Sequence, residues 1–198
     1  ESVQSGGIGV QQAGVFSVSP KGDLAVALGC RLNWGECIGT LAQVPITGGV
    51  PREIMKDVQG ADWGPDGEEV AVVFFAGGRY RLDYPIGKVL YEPPGWVTHA
   101  RVSPDGARIA FLDHPRLGDI GGDVAVLDRA GQRVTLSSGW KALQGLAGSG
   151  RGDEGWFTGS RDGRGGSALY AVTPAGGDAS RHATRCALCR RRPVLCSP

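Results

Sequence analysis

The sequence predicts an all-β chain built as a β-propeller, with about four four-stranded blades visible. Three observations carry this. A turn of the form Ser/Gly-Pro-Asp/Lys-Gly recurs between short apolar runs. A second, Gly-containing hairpin follows each copy, so one period of about 40–45 residues holds four strands, the arithmetic of one blade. Glycine supplies 34 of the 198 residues, which penalises helices and suits a turn-dense chain.

The first copy is Phe16 to Leu28, "FSVSPKGDLAVAL", with Pro20 and Gly22 in the turn. The second is Ala61 to Val73, "ADWGPDGEEVAVV", with Pro65, Asp66 and Gly67. The third is Ala100 to Leu112, "ARVSPDGARIAFL", with Pro104, Asp105 and Gly106. Proline presets φ for the second turn position, aspartate bonds its own backbone, and glycine accepts positive φ. A fourth, eroded copy runs from Leu146 to Thr158, with Gly150 in place of proline and Arg151 in place of aspartate. The intervening hairpins start at Leu41, Val124 and Leu169, and less regularly at Arg79. The predicted propeller segment is 1–177, with blades near 15–60, 61–99, 100–145 and 146–177. After Gly177 the strand pattern stops. The tail 178–198 is basic and Cys-rich, and reads as disordered, out of frame, or a divergent end. The start close to the first repeat predicts a piece of a longer protein and an incomplete ring.

Net charge is +1, so the whole chain makes no electrostatic case for nucleic acid. No run approaches the 18 or so apolar residues of a membrane helix, so the segment is not expected to insert.

"SPDGARIAFL", "GPDGEEVAVV" and "SPKGDLAVAL" resemble the Pro-Asp repeats of TolB-type, WD40-like propellers, from about Val15 to Gly177. The stretch from Gly87 to Pro115 and the region "LSSGWKALQGLAGSG…GWFTGSRDG…ALYAV" are similar to propellers C-terminal to the kinase domain of some bacterial eukaryotic-like serine/threonine kinases. That resemblance implies a sensor or docking module, outside the cytoplasm, of a membrane-anchored protein. It implies binding of a protein, a peptide or a small ligand. The chain itself carries no kinase signature. A periplasmic TolB-like envelope protein is the alternative, and the gating propeller of a prolyl-oligopeptidase-like serine hydrolase is the rival from another class.

No catalytic residue and no cofactor are expected. Asp66 and Asp105 read as turn residues rather than an acid–base pair. His99 and His114 have no nucleophile motif nearby. The loop from Asp113 to Asp123 holds three aspartates without EF-hand spacing and reads as a solvated loop. His182, Cys186, Cys189 and Cys196 offer enough ligands for a tetrahedral zinc, weighed against incidental residues of a basic tail. Cys30 and Cys37 flank "RLNWGE" and either form a disulfide or remain free thiols. Trp63 is expected in the core, and Trp96 and Trp140 between blades.

Overall fold

The computed structural model describes residues 9–163 and 166–182, and every described element is a strand or a turn. The first sheet has seven antiparallel strands in chain order: β1 (Ala13–Val18), β2 (Asp23–Asn33), β3 (Glu36–Pro45), β4 (Arg52–Trp63), β5 (Val70–Ala76), β6 (Arg79–Asp83) and β7 (Val89–Tyr91). It is two blades joined through one long strand. The front of β4 pairs with β3 (Arg52 opposite Gln43), and its back pairs with β5 (Trp63 opposite Val70). Asp57, at φ +58, lies where the pairing changes partner. The third blade contains β8 (Trp96–Val102), β9 (Arg108–His114), β10 (Gly122–Asp128) and β11 (Arg133–Trp140). The fourth contains β12 (Ala142–Gly148), β13 (Gly155–Ser160), β14 (Ala168–Val172) and β15 (Ser180–His182).

The strand pattern therefore does not stop at Gly177. β15 pairs with β14 and supplies the outer strand of the fourth blade. A three-residue strand leaves no alternation long enough to read from sequence. The rest of the tail, including Cys186, Cys189 and Cys196, lies outside the described residues.

Apolar strand faces meet between blades. Ala25 and Leu41 pack with Trp63, Val70 and Val72. Tyr80, Leu82 and Tyr84 of the second blade close over Trp96, Ile109 and Phe111 of the third. Leu112, Val124 and Trp140 meet Leu143, Phe157 and Val172 of the fourth. Trp63, Trp96 and Trp140 are all buried.

The innermost strands, β1, the back of β4, β8 and β12, run in the same sense and each ends in one of the recurring turns. Each also slips register once, between Val15 and Ser17, Val58 and Gly60, Thr98 and Arg101, and Gln144 and Leu146. Such bulges bend a strand and increase its twist. At the slips in β8 and β12 stand His99 at φ +54 and Gly145 at φ +60. The third blade thus begins at Trp96, ahead of Ala100 where the sequence repeat opens. The bulge at His99 breaks the alternation that would reveal the earlier part.

Candidate functional site

The inner strands have two ends. At the turn end the four copies share one geometry. The glycine N–H donates to the carbonyl three residues before it in each turn, Gly22 to Ser19, Gly67 to Gly64, Gly106 to Ser103 and Gly152 to Ser149. The four glycines stand at φ +85, +66, +67 and +72. Asp66 Oδ1 accepts from the Glu68 and Glu69 N–H groups, and Asp105 Oδ1 from Ala107 N–H. Those backbone donors hold the Asp66 carboxyl below its usual range. The Ser103 hydroxyl and the Ala107 N–H do the same to Asp105. In the fourth turn Ser149 Oγ accepts from the Asp153 and Glu154 N–H groups, as Ser103 Oγ accepts from Arg108 N–H in the third and Ser19 Oγ from Lys21 and Asp23 N–H in the first.

The turns also nest. A Cβ on Gly67 would lie 3.1 Å from Lys21 Cγ, on Gly106 3.1 Å from Pro65 Cγ, and on Gly152 3.2 Å from Pro104 Cδ. Each glycine makes room for the turn of the preceding blade. Arg129 clasps this end further, donating through Nε to Gly106 O at 2.8 Å and pairing with Glu69 at 2.6 Å over the Tyr84 ring. A groove of about 590 Å³ runs past these turns, with Trp63, Pro65 and Pro104 in its walls.

The opposite end has no such regularity. Here β2 and β3 project as a hairpin closed by Trp34 and Gly35, at φ +48 and +87. Two successive positive φ values give the type I′ turn that suits hairpin twist. Behind the tip Cys30 and Cys37 are disulfide-bonded, Cα atoms 5.4 Å apart. Gly14 of β1 passes so close that a Cβ there would lie 2.9 Å from Cys37 Sγ.

The tip carries Trp34 and Glu36 over a cavity of about 320 Å³, completed by Trp96, Thr98, His99, His114, Ile120, Leu143 and Gln144. Trp34 meets Trp96 edge-on at 5.8 Å, and Gly118 leaves space for its ring. His114 is committed to structure. Its Nδ1–H donates to Gly121 O at 3.0 Å, so Nε2 of the neutral ring accepts from the Thr98 hydroxyl at 2.9 Å. Burial pushes its pKa down. Trp96 Nε1–H donates to Asp119 O at 2.9 Å.

His99 and Glu36 are different. His99 Nδ1 is buried without a hydrogen-bond partner and lies 4.0 Å from Glu36 Oε1, beyond hydrogen-bond reach. Burial, then the Arg101 charge and electrostatic competition with His114 for a proton, push His99 down to about 4. Burial pushes the Glu36 carboxyl up. At neutral pH His99 is an uncharged ring beside a carboxylate that burial disfavours.

The other sequence candidates are bound into the scaffold. Asp113 Oδ2 accepts from the Tyr91 hydroxyl at 2.9 Å and from Arg133 Nε at 2.8 Å, and desolvation, then Asp113, push Tyr91 up to about 12. Asp119 Oδ1 accepts from Gly121 N–H, and Asp123 Oδ1 from Gly139 N–H. Among the described residues no His, Cys, Asp and Glu side chains group to hold a metal. Of the zinc candidates only the backbone of His182, in β15, is described. Among the described residues no helix is long and apolar enough to cross a membrane.

Trp34 and Glu36 were not legible as site residues. The available signal was "NWGE", a large aromatic before glycine between apolar runs. Trp34 stays half exposed at the hairpin tip although one edge packs on Trp96.

No family model matches the chain, and no curated protein does. Solved structures do. TolB from Agrobacterium tumefaciens superimposes with a TM-score of 0.67 at 17% identity, over 83% of this chain and 62% of that one. TolB from Acinetobacter baumannii gives 0.60 at 18% identity, over 82% and 43%. A prolyl endopeptidase gives 0.57 at 16%, over 86% of this chain and 28% of that one. The chain thus spans less than two thirds of each of these proteins, from 62% down to 28%. It has the all-β fold of a TolB-like β-propeller, with four blades among its described residues.

Proposed function

We propose that this chain is a non-catalytic docking platform, which binds a protein or peptide segment at the hairpin end of its inner strands. One observation carries the reading. Trp34, Phe75, Leu117 and Ile120 are 50, 44, 53 and 41% exposed, and they line two adjoining hollows that share Trp34. Large apolar side chains held together in solvent by two loops and the end of β5 mark an interaction surface. The ionisable groups of the turn end and of the Asp113–Asp123 loop are spent on turns and clasps, which supports binding rather than catalysis. No cofactor is needed.

The platform belongs to a larger protein outside the cytoplasm. The Cys30–Cys37 disulfide directly behind the docking tip supports an oxidising compartment. The resemblance to propellers of membrane-anchored bacterial serine/threonine kinases makes sensing for such a kinase the favoured context, with a periplasmic TolB-like role beside it. Likeness to the prolyl endopeptidase supports a second reading, a gating propeller over a hydrolase domain. Sequencing the flanking gene separates these. A kinase domain and membrane span upstream favour the first, and a downstream G-x-S-x-G domain the last.

The docking reading is tested by selecting peptides from a random displayed library on this chain. Selected peptides should lose at least about tenfold in affinity on Trp34→Ala. They should keep it on Val18→Ala, beside the turn-end groove. Peptides indifferent to Trp34→Ala would overturn the assignment.

A further inference from the structure

The cavity beneath Trp34 has an electrostatic deficit that indicates what it holds. We propose that it takes a primary ammonium group, paired with the Glu36 carboxylate beside the Trp34 indole. The inference rests on the docking reading and names its anchor.

Among the described residues, no donor lies within hydrogen-bond distance of the Glu36 carboxylate, although its side chain is only 26% exposed. Its ionisable neighbours do not supply one: His99 Nδ1 is 4.0 Å away on a ring that stays neutral, and the nearby Tyr80 hydroxyl is pushed up by burial and by Glu36 itself. A half-buried carboxylate with no protein donor keeps only the bonds that water on its open side supplies, fewer than in free solution. The remaining polar groups of the lining do not help. Thr98 and His114 bond each other, and Trp96 Nε1 bonds Asp119 O. A cation supplies what is missing. An ammonium offers three donors, enough for Glu36 and the Gln144 side chain together.

The aromatic wall selects the same charge. The face of an indole carries negative potential and attracts cations. An anion would meet Glu36 unscreened. A cavity of about 320 Å³ sits at the small end of ligand sites, the scale of one side chain or chain terminus rather than of an extended ligand. Its walls come from three blades, the first through Trp34 and Glu36, the third through His99 and Ile120, the fourth through Gln144.

The backbone at His99 adds a second observation. His99 stands at φ +54, a strained value for a residue with a side chain, and the equivalent bulge in the next blade uses glycine. The strained backbone holds the buried Nδ1 of His99 4.0 Å from the Glu36 carboxylate.

An ammonium group reaches this cavity from a lysyl side chain or from a free amino terminus. N-acetyl-lysine-N-methylamide and leucinamide represent the two, and N-acetyl-norleucine-N-methylamide is the uncharged control. Each is titrated into the chain while the Trp34 indole N–H resonance is followed. The expected result is saturable binding of at least one cationic probe, weakened about tenfold by Glu36→Gln. The control should bind at least about tenfold more weakly. The cationic probe that binds identifies the source. Equal binding of lysyl and norleucyl probes, or binding indifferent to Glu36→Gln, would overturn the inference. So would no binding by either cation. None of these three results touches the docking reading, which stands or falls on library-selected peptides and Trp34→Ala.

Discussion

The two ends of the inner strands obey different rules. At the turn end four blades repeat one solution, in which a glycine at positive φ closes its own turn and, in the last three, also admits the turn before it. At the hairpin end no two blades agree. One extends a disulfide-closed hairpin, one places a strained histidine, one presents a glutamine. Repetition at one end builds the ring, and divergence at the other frees residues for recognition. Loops on a rigid scaffold are where binding residues concentrate.

Breaking the turn end should cost stability most. Gly106→Val forces a β-branched residue to φ +67 and drives it into Pro65, so about 3 kcal/mol should be lost in urea unfolding. Ala107→Val, exposed in the same turn, should cost under about 0.5 kcal/mol. Equal losses would separate the nested geometry from stability.

At the other end neighbouring residues should behave oppositely. Thr98→Gly removes a buried hydroxyl that satisfies His114 and should cost about 2 kcal/mol. His99→Gly, one residue on, should change stability by less than about 1 kcal/mol, because relief of strain offsets lost burial. A large loss at His99 would make it a packing residue and nothing more.

The fourth turn sharpens the comparison. Gly152→Ala and Gly106→Ala should each cost about 1–2 kcal/mol, since both meet a proline from the preceding turn. A negligible effect at Gly152 alone would mean that losing Pro and Asp had unmade that turn.

The last contrast is in pH. His99 falls to about 4 in the folded chain against about 6.5 unfolded, so the native state binds fewer protons between these values. Its contribution to stability is full above pH 6.5 and is lost as pH falls towards 4. Glu36 is raised, so ionising it opposes folding as pH rises through its folded value. Glu36→Gln should therefore raise the thermal midpoint at pH 7 and leave it unchanged at pH 4.

The same contrast explains what the sequence could show. Pro-Asp-Gly is legible because each residue answers a local demand of one turn, and the demand recurs. That made the four-blade architecture readable even through the eroded copy, which lacks Pro and Asp but keeps the turn serine, Ser149, with its Oγ bonded to the backbone like that of Ser103. The nesting of Gly106 on Pro65 was not readable, because it joins residues 41 apart through the assembled ring. Nor was the cavity. His99 was visible only as a histidine near a strand, since its bulge hides the register. Trp34 and Glu36 gain meaning only once the hairpin tip lies over the third blade. β15 was missed for the plainer reason that three residues show no alternation.

The most direct measurement is a map of backbone and indole amide shifts while a library-selected peptide is titrated into the isotopically labelled chain. The account predicts that the perturbed residues cluster about Trp34, Glu36, Phe75, His99, Leu117 and Gln144, with the four turns silent. Perturbations centred on Trp63, Pro65 and Pro104 would place recognition in the turn-end groove and contradict the division of labour between the two ends.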